Sequence, residues 1–265
     1  NDSSPWRNTQ TRVVEGLRLG KMLGKKLQIR GEERLLKNTR LNSGRIDKRL
    51  IAELGFGNSN VFHTINIDKF PDGFLHISLD ASGSMSGEKF NKSLTCAIAI
   101  IQAVDMIQNF DVVFSLRGTQ DTGELPVIMY AYDSRVDKIS KVRKLFRYLH
   151  SGSTTPEGLC FEAIMDEIVP TTKDRDSYFL NFSDGMPMFS NNDVSYYYDE
   201  AHNHTKRMVN DMRTKGIKVL SYFIGDSDYE REETMGAFKK MYGKDSEFVD
   251  VTSVMSISKP PAATA

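Results

Sequence analysis

The stretch FLHISLDASGSMSGEKFNKSLTCAIAIIQAV, residues 74–104, reads as a strand, a polar turn and a long helix. FLHISLD (74–80) is short and largely apolar. The helix that follows Glu88 carries the run CAIAIIQAV and extends toward Phe110. The same alternation continues downstream. Strands are expected at 112–116, 127–132, 177–184, 217–225 and 247–251, and helices at 137–149, 156–168, 197–215 and 228–242. Apolar strands of about six residues between helices of roughly 12 to 20 argue for a mainly parallel sheet covered on both faces. The expected fold class is therefore α/β, a doubly wound six-stranded sheet with helices on both sides. The strands 112–116 and 127–132 have no helix between them, so they are expected to form an antiparallel hairpin at one sheet edge.

In such a sheet, ligands bind at the carboxyl ends of the strands, near the point where strand order reverses. Three polar clusters fall at that kind of position. Asp80-Ala81-Ser82-Gly83-Ser84-Met85-Ser86-Gly87 joins the first strand to its helix, 151–156 (SGSTTP) immediately precedes another helix, and Asp184-Gly185 ends the strand SYFLNFSD. Two carboxylates, Asp80 and Asp184, with hydroxyls from Ser82, Ser84 and a threonine make an oxygen-only donor set. Hard divalent cations prefer such donors, and Mg²⁺ in particular takes few direct carboxylates and keeps waters; Mn²⁺ or Ca²⁺ would also suit. Ser82 and Ser84 lie two apart, so an extended loop can turn both hydroxyls to one side, and Gly83 and Gly87 permit the tight turn this needs. A cation held by so little negative charge stays electrophilic, with an open position for an Asp or Glu carboxylate from another protein.

Asp80-x-Ser82-x-Ser84, Thr155 before Pro156 and Asp184 before Gly185 resemble the metal-ion-dependent adhesion site of von Willebrand factor A (VWA) domains. The resemblance covers roughly residues 73–252. It implies a Rossmann-like sheet, a divalent ion held by Asp80, Ser82, Ser84, Thr155 and Asp184, and a role in protein binding. The preference for Thr155 over Thr154 rests on the Thr-Pro step common in that family. Upstream, the basic helix at 11–29, Ser43-Gly44-Arg45-Ile46-Asp47 and the strand VFHTINI (61–67) resemble what precedes the VWA domain in cobaltochelatase-type subunits and in related partners of MoxR-class AAA+ ATPases. This second resemblance implies an adaptor that docks on an AAA+ ring, in cobalamin biosynthesis if the cobaltochelatase role persists. The long acidic stretch of the cobaltochelatase subunit is absent, and the usual last helix of a VWA domain is short or missing after Val251.

Domain organisation is expected to run as a flexible leader (1–10), a basic N-terminal extension packing on the domain (11–72), the α/β domain (73–252) and a flexible tail (253–265). Residues 1–50 carry 13 Lys+Arg against 5 Asp+Glu in a chain of no net charge. Apart from Trp6 at its start, no aromatic residue interleaves with this basic head, which speaks against nucleic acid. No run reaches the roughly 18 apolar residues of a membrane span. The start does not read as a signal peptide, and a chain that begins at Asn1 without Met is expected to be part of a longer protein. Cys96 and Cys160, each within an apolar run, are expected to be buried thiols, and the location cytoplasmic.

Several chemistries are disfavoured. There is no Gly-x-x-x-x-Gly-Lys-Ser/Thr loop for ATP hydrolysis and no Gly-x-Ser-x-Gly elbow for a serine hydrolase. A phosphatase built on Asp80 usually needs a second carboxylate where Ser82 stands. A metal-dependent hydrolase using the same cation remains an alternative, although the three clusters offer no titratable base beyond the two aspartates. An adhesion module without an ATPase partner is another alternative. His202 and His204, two apart on a helix, point to different faces and read as surface polar groups rather than zinc ligands. The loop after Asp184 bears Met186, Met188 and Phe189, expected either to pack over the sheet edge or to present a partner-recognition surface beside the metal.

Overall fold

The fold was analysed in a computed structural model, which describes residues 5–250 apart from 32–33, 55, 69–71, 121–122, 124, 153, 226–227 and 244–245. The expected tail at 253–265 lies outside the described residues. The chain forms two compact units, one of Asn1–Lys25 with Asp72–Ala265 and a smaller one of Lys26–Pro71. This division differs from the expected boundaries. Helix α1 (Pro5–Gly31) begins inside the stretch expected to be a leader, and its first part belongs with the large unit rather than with a single extension over 11–72. Pro at a helix start costs nothing, because the first amide has no partner there in any case.

The small unit is a three-stranded antiparallel sheet ordered β1-β3-β2, from β1 (Arg34–Leu41), β2 (Arg45–Ile46) and β3 (Phe62–Asp68), with the single turn of helix α2 (Ile51–Leu54) between β2 and β3. Sequence reading missed β1, whose charged residues hide the alternation. Arg40 and Asn58 both bind the Glu53 carboxylate, tying α2 to its neighbours.

The large unit is built on a six-stranded mixed sheet of β4 (Gly73–Asp80), β5 (Phe110–Thr119), β6 (Pro126–Asp133), β7 (Asp176–Ser183), β10 (Lys218–Gly225) and β11 (Ser246–Asp250), in the order β11-β10-β7-β4-β5-β6. Five strands run parallel, and β6 pairs antiparallel with β5 at the edge. Strand order reverses at β4, which lies between β5 and β7 and is buried on both faces. On one face sit Leu75, Ile77 and Leu79 of β4, packed with α3 (Glu88–Val104), α4 (Ser140–Leu145) and α1. On the other, Phe74 and Phe179 pack with α5 (Glu157–Ile168), α6 (Tyr198–Thr214) and α7 (Asp228–Tyr242). Ala201, Thr205, Met208, Val209 and Met212 are the buried residues of α6, at the helical spacing that keeps its acidic and basic residues in water. Between β7 and α6, a short hairpin is made by β8 (Phe189–Ser190) and β9 (Ser195–Tyr196). Among the described residues no helix is long and apolar enough to cross a membrane.

Helix α1 reaches α3 through glycine. Val13, Gly16, Leu17, Gly20 and Gly24 form its buried stripe, while Arg18, Lys21 and Lys25 face solvent. A Cβ on Gly16 would lie 2.8 Å from the Thr95 carbonyl oxygen, one on Gly20 2.5 Å from the Ala99 carbonyl oxygen, and one on Gly24 2.6 Å from Met106 Sδ. Glycine every fourth residue lets the two backbones meet where any side chain would hold them apart. The Arg12 guanidinium adds an ion pair to Glu88 at 3.2 Å.

His76, on β4, is a fully buried polar group held far from its ordinary chemistry. Its Nε2 bonds to Ser115 Oγ at 2.8 Å, and its ring lies against Tyr130 and Phe179. Burial, with Arg135 adding repulsion, pulls its pKa down to about 3, so the Glu167 carboxylate 3.7 Å from Nδ1 faces a neutral ring rather than a cation. Cys96 and Cys160 are buried and unpaired.

Gly20→Ala is expected to destabilise the domain by about 1–3 kcal/mol through overpacking. Gly236→Ala in α7, where a Cβ meets nothing within 4 Å, should stabilise it by about 0.5–1 kcal/mol through helix propensity; denaturant midpoints of the two variants, moving in opposite directions, check the pair. His76 takes up its proton near pH 6.5 when unfolded but only near 3 when folded, so its contribution to stability is intact above pH 6.5 and drains away as pH falls toward 3. The slope reaches up to ~1.4 kcal/mol per pH unit. Denaturation between pH 7 and 5 should therefore show a steeper loss for the native protein than for His76→Gln, whatever the variant's absolute stability.

Candidate metal centre

The carboxyl ends of β4 and β7 and the loop before α5 bring the predicted residues together. Asp80, the last residue of β4, is fully buried. Its Oδ1 accepts the Ser82 amide at 2.8 Å and the Thr155 hydroxyl at 2.7 Å, and its Oδ2 accepts the Ser183 hydroxyl at 3.2 Å. Ser82 and Ser84 hydroxyls lie 3.0 Å apart, but Ser84 sits in a 3-10 turn over Gly83–Met85, so a turn rather than the expected extended loop brings them together. Gly87, at φ +80°, closes this loop in a conformation that favours glycine and releases the chain into α3. Thr155 is held by an antiparallel bridge to Met188, whose amide donates to the Thr155 carbonyl at 2.8 Å. Thr154 turns away, its hydroxyl 3.4 Å from that of Thr119. The two threonines left open by spacing are thus separated by geometry, with Thr155 on Asp80.

Asp184 completes the cluster and is nearly buried. Burial, then the neighbouring Asp80 charge, push its carboxyl up to about 7, while the Ser84 hydroxyl and Lys89 act in the opposite direction. Its Oδ1 is a buried oxygen without a hydrogen-bond partner. Two carboxylates that resist being charged together, one with an unsatisfied oxygen, beside the hydroxyls of Ser82, Ser84 and Thr155, form a donor set that fits a hard divalent cation. Such an ion would supply the positive charge that both carboxylates lack. Among the described residues no cluster of three or more His, Cys, Asp or Glu side chains comes together, so the fit lies with oxygen from hydroxyls more than with carboxylates.

Sequence reasoning missed two features. Ser183 braces Asp80 and also accepts the Gly185 amide at 3.0 Å; its place just before Asp184 was the available signal. The second is a fully buried ion pair beneath the loops, Arg117 Nη2 to Glu157 Oε1 at 2.5 Å. An arginine closing the apolar run of β5 was the only hint of it. Around the site, Met186 and Met188 are about half exposed. Phe189 is not: it packs with Tyr196 and Ala201 and is withdrawn from any recognition surface. Of its two expected placements, Phe189 takes the packed one, because the β8–β9 hairpin turns its side chain inward. His204 bonds to the Tyr196 hydroxyl at 3.2 Å.

No protein-family model and no curated protein matches the sequence. Solved structures do match. The vWF domain of the type V pilus tip protein Mfa5 from Porphyromonas gingivalis aligns with a TM-score of 0.56 at 8% identity, over 72% of this chain and 95% of that one. The fold is a VWA fold. The pilus adhesin SpaC from Lactobacillus rhamnosus GG, in an open conformation, aligns with a TM-score of 0.54 at 13% identity over 74% of this chain. The match spans only 31% of SpaC. The SpRpn10 VWA domain is a further match, with a TM-score of 0.48, 12% identity, and 71% and 95% of the two chains covered.

Proposed function

We propose that this domain is a protein-interaction module that uses a divalent cation, Mg²⁺ in the first instance, to capture a carboxylate from a partner. The observation that carries the reading is the unsatisfied, buried Asp184 oxygen beside Asp80 and three hydroxyls. Asp184, Ser82, Ser84 and Thr155 would hold the ion, with Asp80 contributing its charge directly or through water. The ion's chemistry is electrophilic: it attracts an Asp or Glu side chain to an open coordination position. Met186 and Met188, adaptable and exposed beside the site, would meet the surface around that carboxylate.

A narrower form of the proposal makes the partner an AAA+ ATPase ring of the MoxR or cobaltochelatase kind. It rests on the sequence of the basic head alone. Metal-dependent hydrolysis by the same site is the competing reading, and it requires turnover by the isolated chain.

Isothermal titration with MgCl₂ and MnCl₂ should show one saturable site, and Asp80→Ala should weaken it by at least about tenfold. Thr155→Val should weaken it while Thr154→Val does not. Affinity capture in Mg²⁺ and in EDTA should recover a partner only with metal, and only with Asp80 intact. Metal-independent capture by a folded Asp80→Ala protein would sink the proposal. An AAA+ ATPase among the metal-dependent partners is what the narrower form requires.

A further inference from the structure

We infer that Arg117 is the positioning residue of the cation site: one buried guanidinium ties together the three chain segments that carry the proposed ligands. Arg117 stands on β5 directly opposite Asp80 in the parallel ladder, with no solvent exposure. Its contacts fall at a single spacing from the site. Nη1 donates to Ser78 Oγ at 3.1 Å, two residues before Asp80. Nη2 donates to Glu157 Oε1 at 2.5 Å, two residues after Thr155. The same nitrogen donates to the Phe182 carbonyl at 3.1 Å, two residues before Asp184. Asp80, itself one of the proposed ligands, also bonds to all three segments from above; Arg117 does so from beneath, without being a ligand.

The chemistry of arginine suits this task and that of lysine does not. A guanidinium is a rigid planar fork whose donors point in fixed, diverging directions, so three acceptors bound to it are fixed relative to one another. An ammonium on a flexible stem is a point charge and sets no such angles. The Phe161 ring, 5.4 Å from the guanidinium carbon, keeps water from one side, and Asn181 Nδ2 adds a 3.5 Å contact to Glu157 Oε1. Energetics point the same way. A fully buried ion pair recovers little more than the cost of desolvating it, and an apolar pair of similar volume often serves stability as well or better. What the apolar pair cannot do is bond the Ser78 hydroxyl, the Phe182 carbonyl and the start of α5 to one rigid group, and through it align the ends of β4 and β7. The return on burying Arg117 lies in the alignment of the loops above it.

The metal arm of this inference rests on the cation reading; the loop arm does not. Two variants test both: Arg117→Met/Glu157→Met, which replaces the pair by apolar side chains, and Arg117→Lys, which keeps the charge and loses the fork. In metal-free full-length protein, amides of 81–87, 152–155, 184–186 and 188 should exchange hydrogen at least about tenfold faster in the double variant, at a thermal midpoint close to the native one. Titration with MnCl₂, followed by the spin resonance of free Mn²⁺, should show affinity reduced by at least about tenfold in the double variant and by less in Arg117→Lys. Native-like loop exchange and native-like Mn²⁺ affinity in a folded double variant would overturn the inference. If the double variant does not fold, Arg117→Lys decides on the same two readouts. Loosened loops in a protein whose native form binds no Mn²⁺ would uphold Arg117 as the tie and discard the cation reading instead.

Discussion

Burying the Asp80 carboxylate is the constraint around which the upper end of the sheet is organised. A carboxylate out of water is costly unless hydrogen bonds replace its hydration. Asp80 obtains them from Ser82 on its own loop, Thr155 before α5 and Ser183 on β7. Each donor belongs to a different segment, so satisfying one side chain fixes the approach of three. The arrangement follows from the strand order. Only at β4, with β5 on one side and β7 on the other, do connections leave toward both faces and open a crevice above the strand ends. The apolar burial of β4 holds the carboxylate at that depth, and the donors make that depth tolerable.

Much of this was legible in the sequence, because the α/β region is locally consistent. Strands such as β7 and β10 are short apolar runs, and α6 buries residues at clean helical spacing. The site residues could be read for the same reason: Asp-x-Ser-x-Ser, Thr-Pro and Asp-Gly each stand where a strand ends or a helix begins. What sequence could not reveal was contact between distant segments. Nothing in the local pattern links Arg117 to Glu157, forty residues on, or turns Phe189 inward onto Tyr196. β1 was missed because RLLKNTRL mixes charge with apolar residues.

Glycine at 16, 20 and 24 was visible but unread. Within a basic amphipathic helix these residues look like weak points, since each lowers helix propensity. Against α3 they are the contact surface itself. The positive charge of this helix therefore belongs to its outer side, and the reading of the head as basic describes the face that packing leaves over. A helix preceding the alternating α/β region in sequence is thus built into one layer of the same unit, beside the first helix of that region.

The two cysteines carry a consequence of their own. Cys96 lies on α3 and Cys160 on α5, helices that cover opposite faces of the sheet, and burial pushes both thiols up to about 12. At neutral pH the nucleophilic thiolate is then a vanishing fraction, and the sheet stands between the two sulfurs. Packing alone protects them from oxidants, alkylating agents and each other. Their free state reflects where the core encloses them, so it carries no information about the redox state of the medium around the domain.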